Sequence, residues 1–410
     1  MNTNPIDVVI IGGGAAGFFT AINLAEQCPG AKVIILERGK EVLTKVRISG
    51  GGRCNVTHAE FIPAELVKNY PRGEKELLGP FHKFMTGDTI GWFEERGVAL
   101  KIEEDGRMFP ASDTSETIIR CFVNEAKDKG VEVKLNHAVQ HIDKTEAHWT
   151  VQTTKGTFTA KNLVVATGSN PKIWQMLQQL GHQLVPPVPS LFTFHNNDKR
   201  ISGLAGISTQ VALQVVDSTL ENTGPMLITH WGFSGPAVLK LSAWGAREFF
   251  DNNYHFQLQI NWTETLDAPS VLEDLKTLKL DNAKQQVSKY AQFCLPKRLW
   301  QSLVEASGIS SDTKWADLNK QQLQELTRQL TAGVFQITGK STFKEEFVTA
   351  GGVDLKEIDF KTFQSKIHPN LYLAGEVLNI DAVTGGFNFQ NCWTGGFLVA
   401  QAIAEAMKSN

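Results

Sequence analysis

The sequence carries no cysteine pattern. Its five cysteines, Cys28, Cys54, Cys121, Cys294 and Cys392, are scattered and odd in number, with no C-x-x-C or C-x-x-x-x-C pair. That argues against a disulfide framework, a zinc site and a redox-active flavin disulfide, and a reduced, cytoplasmic protein is expected. An excess of one charge is missing too: 40 Lys plus Arg stand against 43 Asp plus Glu. A balanced chain without long basic runs has no electrostatic grip on nucleic acid or an acidic membrane, so neither is expected as a partner. Beyond the amino-terminal region no apolar stretch is long enough to span a bilayer. Residues 8–25 make a poor leader or span, because no basic segment precedes them, Asp7 edges them and three glycines interrupt them. Carboxylates paired for hydrolysis and ligands spaced for a metal are also absent. Gly232-Phe233-Ser234-Gly235-Pro236 lacks the G-x-S-x-G spacing of a serine nucleophile and reads as a turn capping the next helix.

What is present is concentrated at the start. An apolar run at residues 8–11 feeds Gly12-Gly13-Gly14-Ala15-Ala16-Gly17, a helical segment at 18–27 follows, and a second apolar run at 33–36 ends on Glu37. Strand, glycine turn, helix, strand and acid in register form a dinucleotide-binding βαβ fingerprint. Gly12 allows the tight turn, Gly14 lets a pyrophosphate approach the backbone, and Gly17 lets helix pack on strand. The helix start offers free N–H groups to phosphate, and Glu37 is placed to accept from an adenosine ribose.

Further along, residues 38–57 are basic and glycine-rich, and Gly50-Gly51-Gly52 suit close approach to the same cofactor. Two helices are expected over 74–96, a turn at 106–110, and an amphipathic helix over 115–129. Short strands follow at 131–135, 138–142, 149–153, 157–160 and 162–166, ending on Thr167-Gly168. The Pro-rich stretch from 186 reads as a stiff linker into alternating strands at 210–216 and 255–261. A polar helical tract covers 266–330, and returning strands are expected at 335–338 and 343–349. Residues 370–376 read as a strand ending on Gly375-Glu376, and Gly385-Gly386-Phe387-Asn388 leads to a small-residue helix over 394–407. The expected fold is therefore α/β: a Rossmann-like domain from 1–187 and 349–410, of the two-dinucleotide-fold flavoprotein type. It is interrupted by a β-barrel-like unit from 188–262 and 331–348 that carries a helical subdomain at 263–330.

GGGAAG at 12–17, SGGGRCNVT at 49–57, GRMFP at 106–110, THWGFSGPAVL at 229–239, VTAGGV at 348–353, LAGE at 373–376 and TGGFNFQ at 384–390 occur in that order. With these motifs the chain resembles the bacterial BaiN/YhiN-type FAD-dependent flavoproteins, which include bile-acid reductase-like and aminoacetone oxidase-like members. The resemblance implies non-covalent FAD, an inserted barrel and a helical cap; Cys392-Trp393, where relatives vary, departs from it. The residues expected to hold FAD are Gly12, Gly14, Ala15, Ala16, Gly17, Glu37, Arg38, Lys45, Gly51, Gly52, Arg53, Val139, Thr167, Gly168, Gly375, Glu376, Gly386, Phe387, Asn388 and Phe389.

Asn55 and Arg107 are the catalytic candidates, Arg53 is read as a partner of flavin or phosphate, and Cys54 as a packing residue. His230 beside Trp231 reads as a structural histidine or a cavity wall. The expected activity is oxidoreduction of a small organic molecule by hydride transfer at flavin N5, with substrate held between flavin and insert. An NAD(P)H-linked enone reductase and an oxygen-using amine oxidase are both open, as is a flavin-bearing binding protein with little turnover. Only one complete fingerprint is present, so any NAD(P)H is expected to share the cleft with substrate.

Overall fold

Val8, Val9, Ile10 and Ile11 are all apolar, and they form a strand covered on both faces, β1 (Ile6–Ile11). The chain turns through the glycines into helix α1 (Ala15–Gln27) and returns as β2 (Val33–Leu36), parallel to β1 with Val8 opposite Val33. The computed structural model describes residues 6–146, 148–341 and 348–409. The chain divides into two units, Met1–Pro187 with Thr349–Asn410, and Val188–Val348.

In the first unit five parallel strands run in the order Leu371–Leu373, Gly156–Val165, β1, β2 and Glu132–Lys134. The last part of the chain thus pairs into the sheet begun by the first. Trp149–Thr153 and Val139–Lys144 extend the sheet antiparallel from the first half of Gly156–Val165. The strands expected at 157–160 and 162–166 are one strand; Asn162 stays within it by donating to Asp7 O at 3.2 Å. The C-terminal helix, Phe387–Lys408, begins seven residues before the expected 394 and packs along α1. A methyl on Gly396 would come within 3.1 Å of Ala16 O, so glycine sets how closely the two helices approach. Aromatic rings fill this junction: Phe19 lies 4.7 Å from Trp92 and 5.3 Å from Trp393, centroid to centroid, and Trp393 donates to Val56 O at 2.9 Å.

Two expected connections are ordered elements. Arg107–Pro110 is the middle strand of a three-stranded sheet with Thr57–His58 and Leu100–Ile102, because Met108 and Phe109 have a buried face to fill. The Pro-rich stretch is a strand, Leu184–Ser190, paired with Val348–Val353; a two-stranded ribbon leaves one edge without a ladder, where proline costs no hydrogen bond. Of the strand expected at 343–349, residues 343–347 lie outside the described residues.

The second unit is a closed six-stranded antiparallel barrel. Its order is Thr193–His195, Gly232–Ser234, Glu221–Ile228, Ser208–Val215, His255–Asn261 and Gly333–Ser341. Strict alternation, as in His255–Asn261, buries Phe256, Leu258 and Ile260 inside. Helices Ala268–Asp281, Lys297–Ala306 and Lys320–Thr331 share one hydrophobic core with the barrel through Trp262, Trp300, Leu326 and Phe335. Among the described residues no helix is long and apolar enough to cross a membrane.

Candidate cofactor and active site

Three glycines of the first turn play different parts. Gly12 has φ +114°, and a Cβ there would sit 2.4 Å from Ala166 O; a Cβ on Gly17 would sit 2.0 Å from Gly12 O. Both are glycine because backbone already fills the space. Gly14 has ordinary extended dihedrals, and nothing lies within 4 Å of where its Cβ would be. It is the N-cap of α1 and makes no side-chain cap, so the helix starts beside open space with its positive end exposed. Ala15 and Ala16 form the buried first turn. Glu37 accepts from Gly13 N at 2.9 Å and Gly39 N at 2.7 Å, which ties the acid to the turn. Arg38 is exposed beside it, and Val139 begins its strand half-buried.

Sequence-distant segments converge on the same place. A Cβ on Gly168 would lie 3.4 Å from Glu376 Oε2 and 4.0 Å from Lys45 Nζ, and Thr167 precedes it at the strand end. Lys45 donates to Glu376 at 2.5 Å. Desolvation beside the fold works against the Lys45 ammonium even with its side chain 56% exposed, but the Glu376 charge and hydrogen bond outweigh it and raise its pKa. Gly375 packs on Cys392 Sγ and Ala16 Cβ, at 3.2 and 3.3 Å from its would-be Cβ. The thiol of Cys392 is pushed up to about 12, by burial first and then by the Glu376 charge. Cys392 is thus a neutral packing group under the cradle, a place that no sequence signal marks.

The second cluster surrounds the start of helix Phe387–Lys408. Gly386, its N-cap at φ +95°, has Thr57 backbone 2.6 Å from its would-be Cβ and makes no side-chain cap. Tyr70 donates to Phe387 O at 2.6 Å, and His58 stacks on the Phe387 ring at 4.6 Å. Asn388 clamps Ala382, accepting from its N–H at 3.0 Å and donating to its carbonyl at 3.1 Å. Thr57 donates to Gln390 at 2.6 Å, and Phe389 stacks on Trp393 at 5.6 Å. Arg72 makes a two-point ion pair with Asp381, whose side chain is fully buried; Nε reaches Oδ1 at 2.5 Å. Burial, set against the Gly385 carbonyl bond, lowers the pKa of His58. Tyr70, Arg72 and Asp381 escaped the sequence reading because none lies in a recognisable spacing, and Gln390, at the end of TGGFNFQ, was given no role there.

The two catalytic candidates and Arg53 have partners of their own in the fold. With its amide oriented to suit its neighbours, Asn55 donates to Met108 O (3.2 Å) and Thr57 O (3.0 Å) and accepts from Gly386 N (3.0 Å). Every bond it makes there goes to backbone, so Asn55 braces the loop. Arg107 bonds Asp105 at 2.7 Å and Glu103 at 3.3 Å on the exposed side of its strand. Arg53 pairs with Glu103 at 2.6 Å over the Phe109 ring. Gly51 and Gly52, both with positive φ, have nothing within 4 Å of a would-be Cβ. Cys54 is fully buried with its thiol pushed to about 12, which fits packing.

Residues 6–402 match the family described as HI0933-like protein Rossmann domain. The chain is 30% identical to the ribosomal RNA dihydrouridine synthase of Haemophilus influenzae over 97% of this chain and 98% of that protein. It is 26% identical to the 3-dehydro-bile acid delta(4,6)-reductase of Clostridium scindens, over 97% of this chain and 98% of that one. The fold is similar to that of a 3-ketosteroid-delta4-(5alpha)-dehydrogenase from Rhodococcus jostii, at a TM-score of 0.51 and 15% identity, covering 97% of this chain and 96% of that one. The chain belongs to the HI0933-like Rossmann family of flavoprotein oxidoreductases.

Proposed function

We propose that the protein is an FAD-dependent reductase that saturates a ring C=C conjugated to a carbonyl, with the uracil ring of an RNA uridine as its substrate. The observation that carries this reading is the end-to-end match to relatives named for dihydrouridine synthesis and for bile-acid delta(4,6) reduction. The two reactions share one step: hydride adds to the carbon β to a carbonyl and a proton from a solvent-exchangeable donor adds to the α carbon. A free enone is the second reading, favoured by the bile-acid reductase and by the balanced charge of the chain.

The residues fit FAD. The void at Gly14 and the uncapped start of α1 suit a pyrophosphate, with Gly12, Ala15, Ala16 and Gly17 shaping the turn. Glu37 keeps lone pairs for an adenosine ribose, with Arg38 and Val139 on the adenine side. Lys45, Gly168, Gly375 and Glu376 suit the ribityl chain. Gly51, Gly52 and the backbone of Gly386, Phe387, Asn388 and Phe389 suit the isoalloxazine edge. Bound and reduced, the flavin supplies hydride at N5. Around it the protein contributes placement: Asn55, Tyr70 and Asn388 fix the start of the C-terminal helix, whose positive end favours negative charge on whatever it faces. Burial pushes the thiols of Cys54 and Cys392 up to about 12, which favours their protonated forms. NAD(P)H is the proposed electron source. With balanced charge, RNA is read at an unpaired base rather than gripped along phosphates, and binding depends weakly on salt.

The test is turnover by FAD-loaded protein with NADPH, offered a uridine-containing ribosomal RNA fragment or 4-androstene-3,17-dione. Mass spectrometry locating two added hydrogens on a uridine supports the first reading, and saturation of the steroid ring supports the second. A flavin that NADPH reduces but neither compound reoxidises would rule out both.

A further inference from the structure

The barrel unit holds a cavity of about 470 Å³. The first unit does not contribute to its walls. Its apolar side is made by Phe192, Ile228 and Leu239, and among the described residues no Asp, Glu, Lys or Arg lines it. A cavity of this size with a mainly apolar described lining suits a small organic ring system.

Its rim is a fixed hairpin tip. Glu221–Ile228 and Gly232–Ser234 pair antiparallel, and Thr229 N donates to Gly232 O at 2.8 Å across the turn. His230 and Trp231 are therefore the two central residues of a tight loop. Trp231 N donates to Thr229 Oγ1 at 3.2 Å, and Trp231 O accepts from Asn196 N at 2.9 Å. Gly232 admits no side chain, since a Cβ would sit 2.2 Å from Phe194 O. With the backbone held on both sides, the indole is nonetheless 56% exposed. A large aromatic ring held in water on a rigid tip, beside an apolar cavity, is a binding surface in want of a ligand.

The polar groups at the cavity define that ligand further. Ser234 Oγ accepts from Thr193 Oγ1 at 3.0 Å, which leaves the Ser234 proton without an acceptor among the described residues. The Trp231 indole N–H and the His230 ring likewise have no hydrogen-bond partner among the described residues. The indole N–H can only donate and the Ser234 hydroxyl has its proton free, so both offer donors to acceptors such as ring carbonyl oxygens.

We propose that this cavity binds an uncharged, planar, carbonyl-bearing ring that stacks on Trp231 and accepts from Ser234. The proposal rests on the reductase reading for its choice of ligands. The uracil base of RNA and a polycyclic enone both carry this chemistry.

The test uses the FAD-loaded full chain and its Trp231→Ala, Trp231→Phe and Ser234→Ala variants. Binding of a uridine-rich single-stranded oligonucleotide and of 4-androstene-3,17-dione is titrated, with FAD content and melting temperature as fold controls. Trp231→Ala is expected to weaken the bound probe by about 10- to 100-fold, as loss of one aromatic stack does. Trp231→Phe should stay within a few-fold, and Ser234→Ala should fall between. Which probe responds identifies the source of the ring. Wild-type affinity for both probes in Trp231→Ala, or no binding of either probe by the wild type, would overturn the proposal. Trp231→Ala with normal KM on a substrate that the wild type reduces sinks the cavity and leaves the reductase reading standing. Binding that depends on Trp231 without any turnover does the reverse.

Discussion

Replacing Gly12, Gly14 or Gly17 by alanine adds the same methyl group at three points within six residues, and the three variants should behave differently. At Gly12 the methyl meets Ala166 O at 2.4 Å on a backbone with φ +114°. Ala166 is held in place because its N–H bonds Ile11 O at 2.8 Å, so relief requires β1 to part from its neighbour. At Gly17 the contact is 2.0 Å, again to backbone. Each of these variants should lose several kcal/mol, about 4, which lowers melting by roughly 10 °C or prevents folding. At Gly14 the dihedrals suit alanine and the methyl meets nothing. The cost there is the poorer N-cap, about 1 kcal/mol or less, and a melting shift of about 3 °C at most. If the space belongs to a pyrophosphate, that methyl holds the phosphate off the helix start and removes one or two charge-assisted bonds, each about 1.5–3 kcal/mol. FAD affinity of Gly14→Ala should then fall about 100-fold in a protein that melts almost normally. Scanning calorimetry of the apo-protein and fluorescence titration with FAD measure the two quantities. Unchanged FAD affinity in a well-folded Gly14→Ala protein would refute the assignment of the void.

Glu37→Ala removes the acceptor for Gly13 and Gly39 and for the proposed ribose, so FAD should bind about 10- to 100-fold more weakly while FMN, which lacks the adenosine half, binds as before. A parallel loss for FMN would point to collapse of the turn instead. His182 is buried neutral, its Nδ1 2.7 Å from Glu357 and its Nε2 3.1 Å from Ser365 Oγ, and burial, against the Glu357 bond, lowers its pKa. The unfolded chain therefore binds a proton that the native chain refuses between the lowered pKa and about 6.5. The His182 contribution is full above about pH 6.5 and declines as pH falls through that value to the native pKa, so melting of wild type should drop from pH 7.5 to 5 more steeply than melting of His182→Gln. Parallel pH profiles would remove His182 from the explanation.

The parts of this architecture that can be read from sequence are those whose physical cause is local. The βαβ start is legible because turn, helix and acid depend on residues within a single stretch of about thirty positions. Alternation in His255–Asn261 likewise declares a one-sided strand. Arg107–Pro110 is not legible, since Gly106 and Pro110 spell a turn and the strand exists only because Thr57–His58 and Leu100–Ile102 flank it. The ion pairs of Arg53 and Arg107 are not legible for the same reason. A basic residue beside a glycine loop suits phosphate, but Glu103 and Asp105, at positions the loop itself does not reveal, take both guanidiniums. Asn55 bonds backbone at Met108, Thr57 and Gly386, partners that no local spacing reveals.

Helix starts separate these local causes from functional ones. Five helices among the described residues have twelve residues or more. Three of them, Ser115–Asp128, Ala268–Asp281 and Lys320–Thr331, receive a side-chain cap from Thr114, Asp267 and Asn319. Such a cap is worth about 1 kcal/mol. The remaining two, α1 and Phe387–Lys408, begin at Gly14 and Gly386 and have none. Stability alone would favour a cap at Gly14, where space for a side chain exists. At Gly386 the Thr57 backbone forbids one, and Asn55 holds that N–H without covering the turn beyond. Both starts belong to the first unit, which also holds Gly14, Gly51 and Gly52, glycines with nothing within 4 Å of a would-be Cβ, and the Lys45–Glu376 pair. Donors kept free at a cost to the apo-protein, and held rigid by bonds made behind them, are pre-organised for charge that arrives with a ligand.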